Sequence, residues 1–112
     1  MDLEYSVAAL SALAQPTRLV VFRLLVRSEP FGLPAGEIAK RINVPHNTMS
    51  THLTILSQSG LISSVRQGRS IVYRVDLATV QNFFIYLLKD CCDGRPDLCQ
   101  PLIDDLSTIV KS

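Results

Sequence analysis

The sequence predicts a mostly helical α+β fold, a winged helix-turn-helix in which four helices, a β-hairpin and two further helices follow one another, assembled as a homodimer. Three observations carry that expectation. Between Leu33 and Gly60 two short helical patterns are separated by Asn43-Val44-Pro45. Directly after Gly60 the apolar period shortens from helical to alternating, with Gly68-Arg69 as the turn between two strands. Helical stripes before and after this block carry more apolar surface than one small core can bury, which calls for a second copy of the chain.

Each element has its own justification. Leu3, Val7, Leu10 and Leu13 mark one stripe of a first helix over about residues 2–14. So short a segment offers that stripe no partner, and it packs on the domain or across a dimer. Gln15-Pro16 then punctuates, and Pro16 suits the first turn of a second helix. There Leu19, Phe22 and Val26 form one stripe with Val21, Leu24 and Leu25 beside it, so most of the circumference is expected to be buried, as in a central core helix. Ser28 to Gly32 reads as a loop.

The helix-turn-helix spans about residues 34–59. Glu37, Ile38, Ala39 and Ile42 give its first helix; Met49, Leu53 and Leu56, at i, i+4 and i+7, give the buried face of its second. Gly60 supplies the stop past the helix end. The exposed first turn of the second helix carries His46, Asn47, Thr48, Ser50 and Thr51, short hydrogen-bonding side chains suited to base edges and phosphates. The hairpin, about residues 61–75, places Ile71, Tyr73 and Val75 on one face opposite Val72 and Arg74. Arg66 and Arg69 lie at or beside its tip, where cations meet a phosphate backbone or enter a minor groove; edge-strand arginines that merely block edge pairing are the plainer alternative. Asp76 can cap a helix over about residues 76–90 whose stripe is Val80, Phe83, Phe84, Leu87 and Leu88. A cysteine segment, 91–99, precedes a last helix from about 100 to 111 with Leu102, Ile103, Leu106, Ile109 and Val110 on its apolar side.

Composition bounds the function. At 112 residues with 47% apolar side chains, the chain is one globular domain with a core of its own. The longest apolar run, Phe83 to Leu88, is far short of the roughly 18 residues a membrane span needs. The N-terminus has no basic residue ahead of an apolar block, so no secretory signal is expected and the location expected is cytoplasmic. The net charge of +1 hides an uneven distribution. Residues 16–75 hold eight basic residues against Glu29 and Glu37, whereas the segments on either side are net acidic. The basic stretch coincides with the helix-turn-helix and the hairpin, as a binder of double-stranded DNA requires. No Ser/His/Asp set and no Gly-rich phosphate loop is present, so an enzyme is not expected. His46 and His52 read as a DNA-facing and a core-edge residue.

All three cysteines, Cys91, Cys92 and Cys99, fall within nine positions. Gly94 and Pro96 can turn the chain so that Cys99 returns toward the adjacent pair. Neighbouring positions on a helix diverge by about 100°, so two adjacent cysteines bind one ion only if the helix ends near Asp90. Three thiolates without a nearby fourth ligand disfavour structural zinc and favour a soft ion content with three sulfurs. A redox switch on the same thiols and inert packing are the alternatives.

Taken together, Leu13-Ala-Gln-Pro-Thr-Arg-Leu19, Thr48-Met-Ser-Thr-His-Leu53, Leu56 to Leu61 and Gly68-Arg69 with Tyr73 resemble the ArsR/SmtB family of metal-sensing winged-helix repressors. The resemblance covers residues 5–99. It implies a dimer formed through the first and late helices, and an apo-protein that sits on an operator and leaves it when an ion binds. Where the family pattern has Gln, Pro and Arg at the recognition helix, this chain has His46, Asn47 and Thr51. The family's Cys-x-Cys sensing site would fall on Pro34 and Gly36, and its zinc site needs histidines absent from residues 77–90. The resemblance is instead to arsenic-responsive members with a Cys-Cys pair and a third cysteine near the C-terminus. By that resemblance Cys91, Cys92 and Cys99 bind trivalent arsenic or antimony, As(III) or Sb(III), as an inducer, with no permanently bound cofactor. The expected function is a repressor of an arsenic-resistance operon. A thiol redox-sensing repressor of the same fold, another soft-metal sensor, and a protein-binding module or small thiol enzyme stand as rivals.

Overall fold

The computed structural model describes residues 1–91 and 95–111. In chain order the elements are α1 (Leu3–Leu13), α2 (Pro16–Arg27), β1 (Leu33–Pro34), α3 (Ala35–Ile42), α4 (His46–Gln58), β2 (Ile62–Gln67), β3 (Ser70–Val75), α5 (Leu77–Cys91) and α6 (Pro96–Lys111). The helix starts follow from local chemistry. The Asp2 carboxylate accepts from the Tyr5 N–H at 3.0 Å, the side-chain Oε1 of Gln15 from the Arg18 N–H at 2.8 Å, and the Asp76 carboxylate from the Thr79 N–H at 3.1 Å. Pro16 occupies the first turn of α2, where its missing donor costs nothing. Asn43 ends α3 in the left-handed conformation at φ 59°.

One core serves the whole helix-turn-helix. Val21 and Leu25 of α2, Ile38 of α3, Met49, Leu53 and Leu56 of α4, and Leu61 are fully buried. Phe22, Ile62, Val75 and Phe83 close around them. The sheet is antiparallel in the order β1-β3-β2. The hairpin pairs Ile62 with Val75 at its base and Gln67 with Ser70 at its tip, while Leu33 and Pro34 pair with Tyr73 and Val72. Gly68 at φ 62°, followed by Arg69 at negative φ, matches the two-residue turn that suits strand twist. Among the described residues no single helix is long and apolar enough to cross a membrane.

Several expectations change. The two-residue strand β1 was not foreseen, because so short a segment has no period; it makes the sheet three-stranded. In α2 only Val21, Phe22 and Leu25 are buried, and Leu19, Val20 and Val26 are exposed, so the helix is one-sided rather than enclosed. In α1 the residues that pack on the domain are the small ones, Ser6, Ala9 and Ala12; Leu3, Val7 and Leu10 face outward. The hairpin does not alternate simply. Val72 and Val75 are buried while Ile71 is 45% exposed, because only the hairpin base reaches the core and β1 covers Val72. Phe84 of the predicted α5 stripe is 52% exposed, although Phe83 is buried and tilted against it, ring centroids 5.6 Å apart. The last helix begins at Pro96 rather than near 100, so Cys99 sits in a helix rather than in a loop.

Candidate nucleic-acid interface and cysteine segment

His46 opens α4, and His46, Asn47, Thr48, Ser50 and Thr51 are all exposed. They remain so because Met49, Leu53 and Leu56 turn the opposite face into the core. The helix N-terminus follows Pro45 and has no side-chain cap, so its first-turn N–H groups stay open apart from that of Thr48, which donates to the side-chain Oδ1 of Asn47 at 2.9 Å. The hydroxyls of Ser50 and Thr51 donate back to the carbonyls of His46 and Asn47 at 3.0 and 3.4 Å. Their oxygens therefore point outward as acceptors, and a donor exchange is needed before they can donate to a base or phosphate.

The wing lies beside this turn. His46 and Ser50 of α4, Arg69 and Ser70 at the hairpin tip, and Tyr73 line one cleft of about 330 Å³. Helix and wing thus face one cleft, which Pro34, Ala35, Gly36 and Ile71 complete, and Ser70 and Tyr73 add polar groups to it beyond the predicted site residues. Their signal was hidden because strand position, not residue type, places them there. Arg66 and Arg69 are exposed, and no carboxylate pairs with either among the described residues. Arg74, by contrast, is engaged: its guanidinium donates to Glu29 at 2.7 Å. That hydrogen bond holds the Glu29 carboxyl below its usual value, with the Arg74 charge adding to it against partial desolvation.

The recognition helix is braced from behind. Arg18 donates through Nε to the Ala12 carbonyl at 2.6 Å, and its Nη1 lies 3.4 Å from Nδ1 of His52. One half-buried arginine thereby links the end of α1 to α4, and His52 is a core-edge residue as its position in the pattern implied.

Of the cysteines, Cys99 is described in full. It is buried on α6, its Sγ lies 3.2 Å from the Leu88 carbonyl in the last turns of α5, and it is disulfide-bonded. Cys99 therefore sits beside the last turns of α5. Cys91 closes α5, one residue beyond the expected helix end. Its side chain and all of Cys92 lie outside the described residues, as does any three-sulfur geometry. Among the described residues no three metal-binding side chains converge.

A helix-turn-helix domain family matches residues 13–65. The chain is 32% identical over 87 residues to the transcriptional repressor SdpR of Bacillus subtilis (strain 168), an alignment covering 78% of this chain and 93% of SdpR. In structure it is similar to an ArsR-like transcriptional regulator from Rhodococcus sp. RHA1, with a TM-score of 0.70, 24% identity and 92% of each chain covered. It is also similar to a possible transcriptional regulator for arsenical resistance, with a TM-score of 0.59 and 26% identity, over 71% of this chain and 83% of that one.

Proposed function

The chain belongs to the ArsR/SmtB family of winged helix-turn-helix transcriptional regulators, and we propose that it is a homodimeric repressor released from operator DNA when its C-terminal cysteines capture As(III) or Sb(III). The observation that carries the sensing half of this reading is the seat of Cys99. Its sulfur is packed against the last turns of α5, the helix that Cys91 ends. The Cys99 sulfur is thus held beside the last turns of α5, which supports one site within one chain. Capture proceeds from the reduced chain, in which a thiol reductant has opened the Cys99 disulfide. Arsenous acid exchanges its three hydroxyl groups for three cysteine sulfurs, and each thiol proton leaves with a hydroxyl as water.

The reading half rests on the exposed first turn of α4 and the arginines of the wing. The dimer rests on the apolar residues of α1, α5 and α6 that the chain leaves uncovered, among them Leu3, Val7, Leu10, Phe84, Ile85, Leu102 and Leu106. A symmetric pair covers them and sets two recognition helices about one DNA turn apart. For release, the inducer must bind the DNA-incompetent arrangement more tightly than the competent one.

Counting free thiols in the reduced protein during an arsenite titration tests the site. Three thiols should be lost per chain at one equivalent, and two in the Cys91→Ser variant. Loss of fewer than three in the wild type would sink the ligand set. The disulfide at Cys99 favours a second reading, a repressor whose thiols pair when a two-electron oxidant such as a peroxide is reduced to water. It predicts release of DNA by peroxide and none by arsenite.

A further inference from the structure

A groove of about 470 Å³ lies between α2 and α3, and none of its lining residues belongs to α1, α5, α6, the first turn of α4 or the wing. Its floor is apolar: Val20 and Leu24 from α2, Ile42 at the end of α3, and Val44 in the turn that leads to α4. Val20 is 49% exposed, a β-branched hydrophobe left in water beside three half-buried ones. Two cations border the same floor. Arg27 ends α2, is exposed, and has no carboxylate within 4.0 Å among the described residues. Arg41 gives its Nε to Glu37 at 2.8 Å, and the remaining N–H groups of its guanidinium make no hydrogen bond among the described residues.

We propose that this groove binds a small amphipathic carboxylate, a medium-chain or aromatic acid, whose apolar body covers Val20, Leu24, Ile42 and Val44 and whose head pairs with Arg27 and Arg41. The volume lies within the roughly 300–1,000 Å³ of small-molecule sites. Planar guanidinium groups match a carboxylate through paired N–H donors. A DNA phosphate supplies the charge but no apolar body, so it leaves Val20 and Val44 in water. A neutral hydrocarbon covers the floor but leaves the arginines unused. Occupancy would also be felt by the recognition helix. Val44 belongs to the three-residue turn whose Asn43, at φ 59°, sets the angle at which α4 leaves α3. The acid is a second input, independent of the cysteines, and needs neither the inducer nor the dimer to be detected.

The test is a two-dimensional amide NMR titration of the whole reduced chain with sodium octanoate, with octanol as the neutral control. Saturable shifts should map to Val20, Leu24, Ile42 and Val44. Affinity should fall about tenfold in Arg27→Ala and further when Arg41→Ala is added, and octanol should bind at least about tenfold more weakly. Both arginines are exposed, so the variants keep the fold, which unchanged spectra elsewhere would verify. Shifts that map to α1 or α5, equal affinity for octanol, or indifference to both arginine changes would each overturn the proposal. So would variants that lose duplex DNA binding but not octanoate binding, because the arginines would then be part of the DNA surface.

Discussion

Single residues carry the tightest constraints at Gly32 and Glu29. Gly32 sits at φ 73°, and a Cβ there would run into the Tyr73 carbonyl and the Arg74 side chain. Only glycine lets the loop pass this close to β3 and pair β1 with it. Gly32→Ala should destabilise the fold by about 2–4 kcal/mol, from clash and backbone strain together, as a drop in the denaturation midpoint would report. Glu29, 17% exposed, is paired with Arg74, which holds its carboxyl below its ordinary value of 4.5. A depressed carboxyl stabilises the fold above its unfolded value, and that contribution is lost as pH falls through the lowered folded value. Wild type should therefore lose more stability than Glu29→Gln between pH 7 and about pH 3. Parallel melting curves for the two proteins across that range would contradict the pairing.

Neither residue announces its role in the sequence. Gly32 reads as one more loop glycine and Glu29 as a surface charge, because their partners, Tyr73 and Arg74, are about forty positions away. The recognition-helix residues were legible for the opposite reason. Met49, Leu53 and Leu56 define a buried stripe by local spacing alone, and the exposed residues between them follow at once.

Elements divide along the same line. Helices α3 and α4 and the hairpin strands lie where period, turn and break residues put them, since each is specified within a dozen positions. The strand β1 was invisible because its only reason to exist is β3. The start of α6 moved to Pro96 because proline, read as a loop former, here takes the first helical position. The apolar stripes of α1 and α5 are divided: Leu13, Val80, Phe83 and Leu87 pack on the core, whereas Leu3, Val7, Leu10 and Phe84 face outward, a division that local spacing does not encode. Leu10 is 47% and Phe84 52% exposed in the single chain, so the pair Leu10→Ser and Phe84→Ser should leave helicity intact and convert a dimer to a monomer in sedimentation. An unchanged dimer would place the interface elsewhere. Within the DNA-reading elements, the wing and the helix should separate by function. Arg69→Ala should weaken binding to all duplexes alike and reduce the salt slope by about one unit, whereas Ser50→Ala should alter preference at one base position. Binding experiments at several salt concentrations on two sequences distinguish them.

For the whole molecule, the two chemical features lie at opposite ends of a short mechanical chain. Cys99 is packed on the end of α5, α5 contributes Phe83 to the common core, and that core holds the inner face of α4. Arg18 adds a link from α1 to His52 of the recognition helix. A change at Cys99 therefore has a packed route to α4, through α5 and the common core. The basic charge of residues 16–75, between net-acidic flanks, concentrates the attraction for DNA on the part of the chain that holds the helix-turn-helix and wing.

The most direct measurement is fluorescence anisotropy of the reduced protein on labelled DNA from upstream of its own gene, with arsenite titrated into the preformed complex. The complex should be lost near one arsenite per chain, and should persist with zinc and with arsenite in Cys91→Ser. A complex that ignores arsenite and dissolves on oxidation would contradict the arsenic reading and make the cysteines a redox switch.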